Sequence, residues 1–499
     1  MQPNILLIQA DQLAPQFLPA YGHDVVKAPN LDAMAERGMV FDAAYCNSPL
    51  CAPSRFSMMT GRLPSRIDAW DNASQLSSEI PTFAHYLGDL GYRTALAGKM
   101  HFIGPDQLHG FDERLTTDVY PSDFTWTPDW DDPTRLLDWY HNMDVVRASG
   151  ACYRCSNLEF DEEVAFTANR WLYDTAKMAV SEPWMMTVSF IQPHDPYLAR
   201  PEYLARYQHS DIDLPALSRD DVVDDPHSAR LRTSYRNDER PVTDEETLVA
   251  RHSYYASISY IDDRIGELLH TLEETGFADD TLIVFTADHG DMLGERGLWF
   301  KMSWFEHSAR VPLIVTGPGV AQGRSSSAVS LVDLLPTFVD VAGANPYEVI
   351  ATPFEGASLR PFFHQERGRD EALGEYFAEA TSHPSFMIVR NGLKFIATEG
   401  DPDQLFDIAA DPRETNNLAN DPTYQEVVDA RRAEVRDGYD HETLRRRVME
   451  SQARRHYLAP VMKDVAWDFE PPYRSSDKYI RNTMPIYELE RRSRFPRDT

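Results

Sequence analysis

The chain has 499 residues, 42% of them hydrophobic and 25% charged, with a formal net charge of −31 at neutral pH. Such a length and composition exclude a small disulfide-stapled domain and a disordered chain, leaving one large α/β domain with an appendage, or two to three domains. The negative field repels nucleic acid and anionic lipid, so neither is expected as a partner; it favours a cationic ligand, although solubility alone accounts for it equally well.

The opening MQPNILLIQAD enters an apolar strand at residues 4–10 without a basic leader or a long apolar run, which predicts a cytoplasmic protein. Asp11 closes that strand. PNLDAMAERG then reads as a short helix with Asn30 as N-cap and Gly38 as stop. In SPLCAPSRFSMMTGRLPSR, residues 48–66, Cys51 precedes Pro53 and Arg55. Pro53 suits the first turn of a helix, which puts residue 51 at the N-terminus, where free amides and the helix dipole favour an anion. A thiolate would be activated there too, so a thiol nucleophile is a competing reading.

A strand at 94–99 leads into Lys99 and His101, and the polar stretch after it carries Trp126, Trp130, Trp139, Tyr140 and His141. These aromatics either face a ligand or pack an insertion. Four cysteines, Cys46, Cys51, Cys152 and Cys155, are too few for a disulfide framework and read as thiols of a reducing compartment. The strand at 184–190 runs into His194, and Thr243 with Glu246 forms a capping box for a long helix ending near Gly276. The run 281–288 ends in Asp288-His289, Lys301 follows in LWFKMS, and a further strand spans 312–317. Near-continuous apolarity in these runs requires a sheet covered on both faces, and their alternation with helices requires an α/β fold. The expected architecture is a large, mostly parallel or mixed central sheet flanked by helices.

After residue 370, SFMIVRNGLKFIAT joins two strand-like runs through Asn391-Gly392, a hairpin signal. The expected division is a catalytic domain at 1–370, a smaller C-terminal antiparallel-sheet subdomain at 371–450, and an extended C-terminal tail at 451–499. The tail is too polar and proline-rich to be a core, so it wraps its own body or a neighbour; a homodimer or homotetramer with tail exchange is expected.

Asp11 and Asp288-His289, at distant strand ends, offer oxygen and imidazole ligands to one divalent cation. A lone Asp at a strand end is commonly an N-cap; the sequence Asp-His-Gly-Asp favours metal. Arg55, Lys99, His101, His194 and Lys301 all lie just beyond apolar runs or turns. Gathered around a tetrahedral anion beside a metal, they suit sulfuryl or phosphoryl transfer.

Cys51-Ala52-Pro53-Ser54-Arg55 with the downstream Thr60-Gly61-Arg62 resembles the type I sulfatase signature, within the alkaline phosphatase superfamily, and NILLIQADQ, LGYRTALAGKMH and ADHGDMLGERG stand in that family's order. The resemblance implies an alkaline phosphatase-like fold and oxidation of Cys51 to formylglycine, whose hydrate supplies the nucleophilic oxygen. A thiol attacking sulfur would leave a thiosulfate ester with no easy second step, whereas a geminal diol expels sulfate by re-forming its carbonyl. The resemblance further implies that Asp11, Asp288, His289 and residue 51 hold a divalent metal, calcium by family habit, with manganese and magnesium as alternatives. Many sulfatases carry a second acidic residue at Gln12 and Asn at His289, so whether Gln12 is a ligand stays open. By the same resemblance Arg55 stabilises the diol, Lys99, Lys301 and Asn72 meet the sulfate, His194 with Lys301 protonates the leaving alcohol, and His101 takes the proton that lets sulfate depart.

Within the family, GPDQLHGFDERLTTD and the tail WDFEPPYRSSDKYIRN resemble the choline sulfatase group, implying a small sulfate ester bearing a quaternary ammonium. Such a group lacks hydrogen-bond donors and is held by aromatic faces and carboxylates. Trp126 is the expected cage residue, with His141 nearby and Glu379 as counter-charge. The alternatives are a phosphonate monoester or phosphodiester hydrolase of the same superfamily, and a non-catalytic quaternary-ammonium-binding protein.

Overall fold

A computed structural model describes residues 2–137, 141–178, 182–462 and 467–472, together with Pro485, Glu488, Arg491, Arg492 and Phe495. Trp139 and Tyr140 lie outside the described residues. The main sheet has eight strands: β1 (Asn4–Ala10), β2 (Met39–Tyr45), β3 (Arg93–Gly98), β4 (Glu113–Arg114), β6 (Trp184–Phe190), β8 (Thr281–Ala287), β9 (Leu313–Thr316) and β10 (Gly323–Ser330). Two-residue strands β5 (Gly150–Ala151) and β7 (Leu198–Ala199) pair separately, in parallel. The order across the main sheet is β10-β2-β9-β8-β1-β6-β3-β4. β1 pairs in parallel with both β6 and β8, and β3 with β6, while β9 runs antiparallel to β2 and β8. The sheet is therefore mixed, with a parallel centre whose strands are buried on both faces, as their unbroken apolar runs require.

The long helix Asp244–Thr275 has the expected ends. Thr243 Oγ1 accepts from the Glu246 amide at 3.2 Å, Glu246 Oε2 accepts from the Thr243 amide at 2.9 Å, and Gly276 closes the helix at φ 76°. The first helix differs. It spans Pro29–Arg37 with Ala28 as N-cap, because Pro29 occupies the first helical position. Asn30 does not cap: its side-chain amide donates across the fold to Asp262, at 2.9 Å to Oδ2. Gly38 follows the helix in extended backbone, and what excludes a side chain there is Val315 O, 2.3 Å from where a Cβ would lie.

The second sheet is antiparallel, in the order β11 (Ala372–Tyr376), β12 (Ser385–Arg390), β13 (Leu393–Thr398), β14 (Gln404–Asp407). Asn391 and Gly392 turn β12 into β13 with φ of 55° and 74°, the two positive values the hairpin signal requires. Helices Gln425–Gly438 and His441–Val461 share this sheet's core through Val428, Val435, Leu444 and Val448. Trp130 belongs to that core, and its indole N–H donates to Ala378 O at 3.0 Å, so it packs the insertion. The buried Lys394 on β13 joins the two bodies, meeting Glu306 at 2.8 Å and Glu414 at 2.7 Å.

Helix His441–Val461 runs through residue 450, where the expected boundary of the tail falls. Beyond it, Trp467 packs edge-on against Phe124 at 5.4 Å and Phe469 lies over the Arg114 guanidinium at 5.4 Å, both within the same chain. Among the described residues no helix is long and apolar enough to cross a membrane.

Candidate active site

The parallel centre of the sheet builds the site. Neighbouring strands β8, β1, β6 and β3 release the chain at the same edge, so Asp288, Asp11, the turn to His194, and Lys99 converge although they are far apart in sequence. Close passage at this edge is enforced at Gly98, which has φ 105° and stands where a Cβ would lie 1.9 Å from Ser189 O.

Cys51 is the first residue of helix Cys51–Thr60 and is buried. Its Sγ is 3.2 Å from His289 Nε2, and the Ala52 amide donates to Asn72 Oδ1 at 3.0 Å. Asp11, Cys51, Asp288 and His289 place one potential ligand atom each within 4.8 Å of one another. Asp11 Oδ1 is buried with no hydrogen-bond partner, the mark of a carboxylate oxygen aimed at a cation. Burial raises the Asp11 pKa, but Lys99, then His194 and Arg55, pull it well below the ordinary value. Burial lowers the His289 pKa to about 4, against the pull of Asp288, so the ring is neutral and able to ligate. Two carboxylates and a neutral imidazole, with the residue 51 side chain beside them, suit a divalent metal.

Arg55 is completely buried and bonded on every side: Nε to Asp288 at 2.8 Å, Nη2 to Asp11 at 2.8 Å, and Nη1 to Gln9, Ser189 and Lys99 O between 2.7 and 3.0 Å. It thus clamps the two carboxylates, where the sequence pointed to a direct partner for residue 51. Lys99 Nζ donates to Asp11 Oδ2 and lies over the Tyr120 ring, 4.2 Å from its centroid. Gln12 Nε2 donates to Asp291 at 2.7 Å, while its Oε1 accepts from Lys301 Nζ at 2.5 Å. Its oxygen therefore serves the lysine.

Lys301 Nζ is also 2.8 Å from His194 Nε2, and His194 Nδ1 lies 2.7 Å from Asp195 O. The carbonyl must accept, so the imidazole proton sits on Nδ1 and Nε2 receives from Lys301. Burial first and Lys301 second lower the His194 pKa. His101 is buried with both ring nitrogens unpartnered, and burial, then Lys99 and Arg55, push its pKa well below normal. His101 meets Trp126 edge-on, centroids 5.8 Å apart, and Trp126 meets Tyr120 at 5.0 Å. His141 stacks on Phe300 at 4.5 Å and approaches Asp195 at 3.3 Å.

Cys51, Asn72, Tyr120, Trp126, His141, Asn157, His194 and Asp195 line one cavity of about 170 Å³. That is well below the roughly 300–1,000 Å³ of pockets for drug-sized ligands, so the cavity selects a small molecule. Glu379 is not among its lining; its carboxylate accepts from the Tyr376 hydroxyl at 3.3 Å. Sequence reasoning missed Tyr120, whose hydroxyl is 3.1 Å from His194 Nδ1, and Asp195, wedged between His141 and His194. Asp195 stands next to His194 and Tyr120 in a stretch already conspicuous, but nothing local marks either as converging on the lysines. Cys152 and Cys155 are half-buried and reduced, and burial with the neighbouring thiol pushes Cys152 up to about 11.

With this geometry in view, the family profile described as Sulfatase matches residues 3–344, that of N-sulphoglucosamine sulphohydrolase, C-terminal, matches 294–439, and that of choline sulfatase enzyme C terminal matches 446–495. The chain is 45% identical to a choline-sulfatase of Rhizobium meliloti (strain 1021), over 99% of each chain. It is 29% identical to an arylsulfatase of Clostridium perfringens, over 86% of this chain and 92% of that one. Among solved structures it is similar to a phosphonate monoester hydrolase of Agrobacterium radiobacter, with TM-score 0.69 and 24% identity over 89% of this chain and 96% of that one. A 2-O GAG sulfatase gives TM-score 0.67 and 23% identity over 88% and 92%. At these identities the two structures speak to the fold alone.

Proposed function

The chain belongs to the sulfatase family, and from that premise we propose that it hydrolyses choline-O-sulfate to choline and inorganic sulfate. The observation that carries the reading is a single small cavity shared by Cys51 and Asn72 with the aromatic faces of Tyr120 and Trp126. The whole-length likeness to a choline-sulfatase supports the same substrate.

In this reading Cys51 is oxidised to formylglycine, whose hydrate supplies the oxygen that attacks sulfur and later releases sulfate as the carbonyl re-forms. Asp11, Asp288, His289 and residue 51 would hold the metal, calcium in this proposal with manganese or magnesium as alternatives; when bound it supplies positive charge to the sulfate oxygens and the nucleophile. Arg55 fixes both carboxylates in register. Lys99 and Lys301, both fully buried, present ammonium groups to the sulfate oxygens together with Asn72. The leaving choline oxygen needs a proton, and the Lys301–His194 hydrogen bond is its source: the Nδ1 proton is retained by Asp195 O, so the transferable proton is the one between Nζ and Nε2. His101, kept neutral by burial, is the base that accepts a proton from the hydroxyl of residue 51. Trp126, Tyr120 and His141 face the ammonium, with Asp195 lining the same cavity as a counter-charge and Glu379 adding negative charge from outside that lining.

The division at about residues 370 and 450, a cytoplasmic location in keeping with cysteines that form no disulfide, and subunit exchange of the tail at 451–499 extend the proposal. Exposed Tyr457 and Val461, one helical turn apart, offer an apolar contact for a neighbouring subunit. The test is sulfate release from choline-O-sulfate by the wild type and by Cys51→Ala, with the mass of the peptide spanning position 51 recorded alongside. Equal activity removes the assigned nucleophile, and no release by an aldehyde-bearing wild type removes the substrate.

A further inference from the structure

The cavity wall carrying Trp126 has no regular secondary structure of its own between β4 and residue 137. Its local bonds are short-range, such as Thr127 Oγ1 donating to Phe124 O at 2.8 Å and the Thr125 amide donating to Asp123 Oδ1 at 2.9 Å. Besides the Trp130 indole bond to Ala378 O and the backbone bonds of Ser122 O with the Gly104 amide and Pro133 O with the Ala380 amide, one face of helix His441–Val461 ties it to the body. Gln452 Oε1 accepts from the Trp130 amide at 3.0 Å, and His456 Nε2 donates to Pro128 O at 3.0 Å. Between them the buried Arg455 forks. It pairs with both oxygens of Asp71, at 2.8 Å for Nη2–Oδ2, and its Nη1 reaches Thr127 Oγ1 at 3.3 Å. Asp71 is the neighbour of Asn72, and Thr127 is the neighbour of Trp126, so one guanidinium sits behind both walls of the cavity.

The two walls depend on Arg455 unequally. The Asp71 side is a closed turn, with the Ala73 amide donating to Asp71 Oδ1 at 3.0 Å and the Ser74 hydroxyl accepting from the Trp70 amide at 2.9 Å. Asn72 is further pinned by the Ala52 amide. The Trp126 side is a looser turn, closed by the Thr127 amide donating to Phe124 O at 3.3 Å, and it leans further on the C-terminal helix.

We propose that Arg455 is a specificity-determining positioning residue: through Asp71 and Thr127 it holds the Trp126 wall at the distance that a quaternary ammonium requires, leaving the sulfate end unaffected. The inference rests on the choline-O-sulfate reading above. A Lys in its place supplies charge but cannot bond both Asp71 oxygens while reaching Thr127.

The experiment compares Arg455→Met, Arg455→Lys and the double variant Arg455→Met/Asp71→Asn on choline-O-sulfate and on an aryl sulfate lacking the ammonium. The double variant leaves no unpaired buried carboxylate, so it keeps the test alive if Arg455→Met fails to fold. The expected result is a KM for choline-O-sulfate raised about tenfold with kcat within about twofold, little change for the aryl ester, and no rescue by Lys, because a displaced aromatic face forfeits the cation–π contact. Equal losses on both esters, or unchanged KM in the folded double variant, overturn the proposal. A wild type that cleaves the aryl ester but not choline-O-sulfate refutes the substrate reading, and this inference with it.

Discussion

Replacing Lys301 by Met separates two roles that one ammonium could play. The side chain is fully buried, with Nζ 2.5 Å from Gln12 Oε1 and 2.8 Å from His194 Nε2, and Met fills nearly the same volume without donors. If Lys301 only neutralises sulfate charge, its loss slows every sulfate ester alike. If it feeds a proton to the departing oxygen, the loss falls on esters of poor leaving groups. General acid catalysis contributes about 10²–10⁴-fold, or roughly 3–5 kcal/mol of barrier at about 1.36 kcal/mol per tenfold. Choline is a poor leaving alcohol and a nitrophenol a good one, so kcat for choline-O-sulfate should fall at least about 100-fold further than kcat for the nitrophenyl ester. A second signature follows from charge. Burial and then Lys301 depress the His194 pKa, so the Met variant has a higher His194 pKa. Its residual activity on choline-O-sulfate should therefore rise as pH falls through that value, since the imidazolium can then act as the acid. Initial rates on both esters from pH 5 to 9 read both signatures, and a loss of equal size on the two esters refutes the proton-donor assignment.

Chelation should abolish sulfate release and lower the melting temperature while leaving the far-UV spectrum intact, because Asp11 and Asp288 keep Lys99 and Arg55 as partners. Restoring a divalent ion to about 100 times its dissociation constant should return roughly 2.7 kcal/mol of stability; undiminished turnover after exhaustive chelation would falsify the metal reading. Acid should act through His109, which burial pushes down to about 4, partly opposed by Asp106. The unfolded chain binds a proton near pH 6.5 that the native state refuses, so stability is lost as pH falls from about 6.5 to 4, by up to about 3 kcal/mol. Urea unfolding at the two ends of that window should show a smaller loss in His109→Asn, which tolerates the φ of 41° at this position; parallel behaviour of the two proteins would refute the assignment.

Local chemistry was legible wherever neighbours in sequence are also partners in space. The capping box of Thr243 and Glu246, the Asn391-Gly392 hairpin, Cys51 at a helix mouth and the apolar strands with their polar ends all follow from short-range geometry. Signals of the same kind misled where a distant group competed for the same atoms. Asn30 looked like a cap, but Asp262 takes its amide; Gly38 looked like a helix stop, but a carbonyl on β9 is what excludes its side chain.

The site divides along the same line. The sequence by itself determined which residue types could hold a dication, carry a nucleophile and surround a tetrahedral anion. Only the tertiary structure decided that Arg55 grips the two carboxylates, that Gln12 serves Lys301, that Trp130 is core while Trp126 lines the cavity, and that Arg455 stands behind both cavity walls. The reason is the sheet order: β8, β1, β6 and β3 come from segments far apart in the sequence, and no local signal encodes which strand ends will be neighbours until the hydrophobic faces between them are buried together.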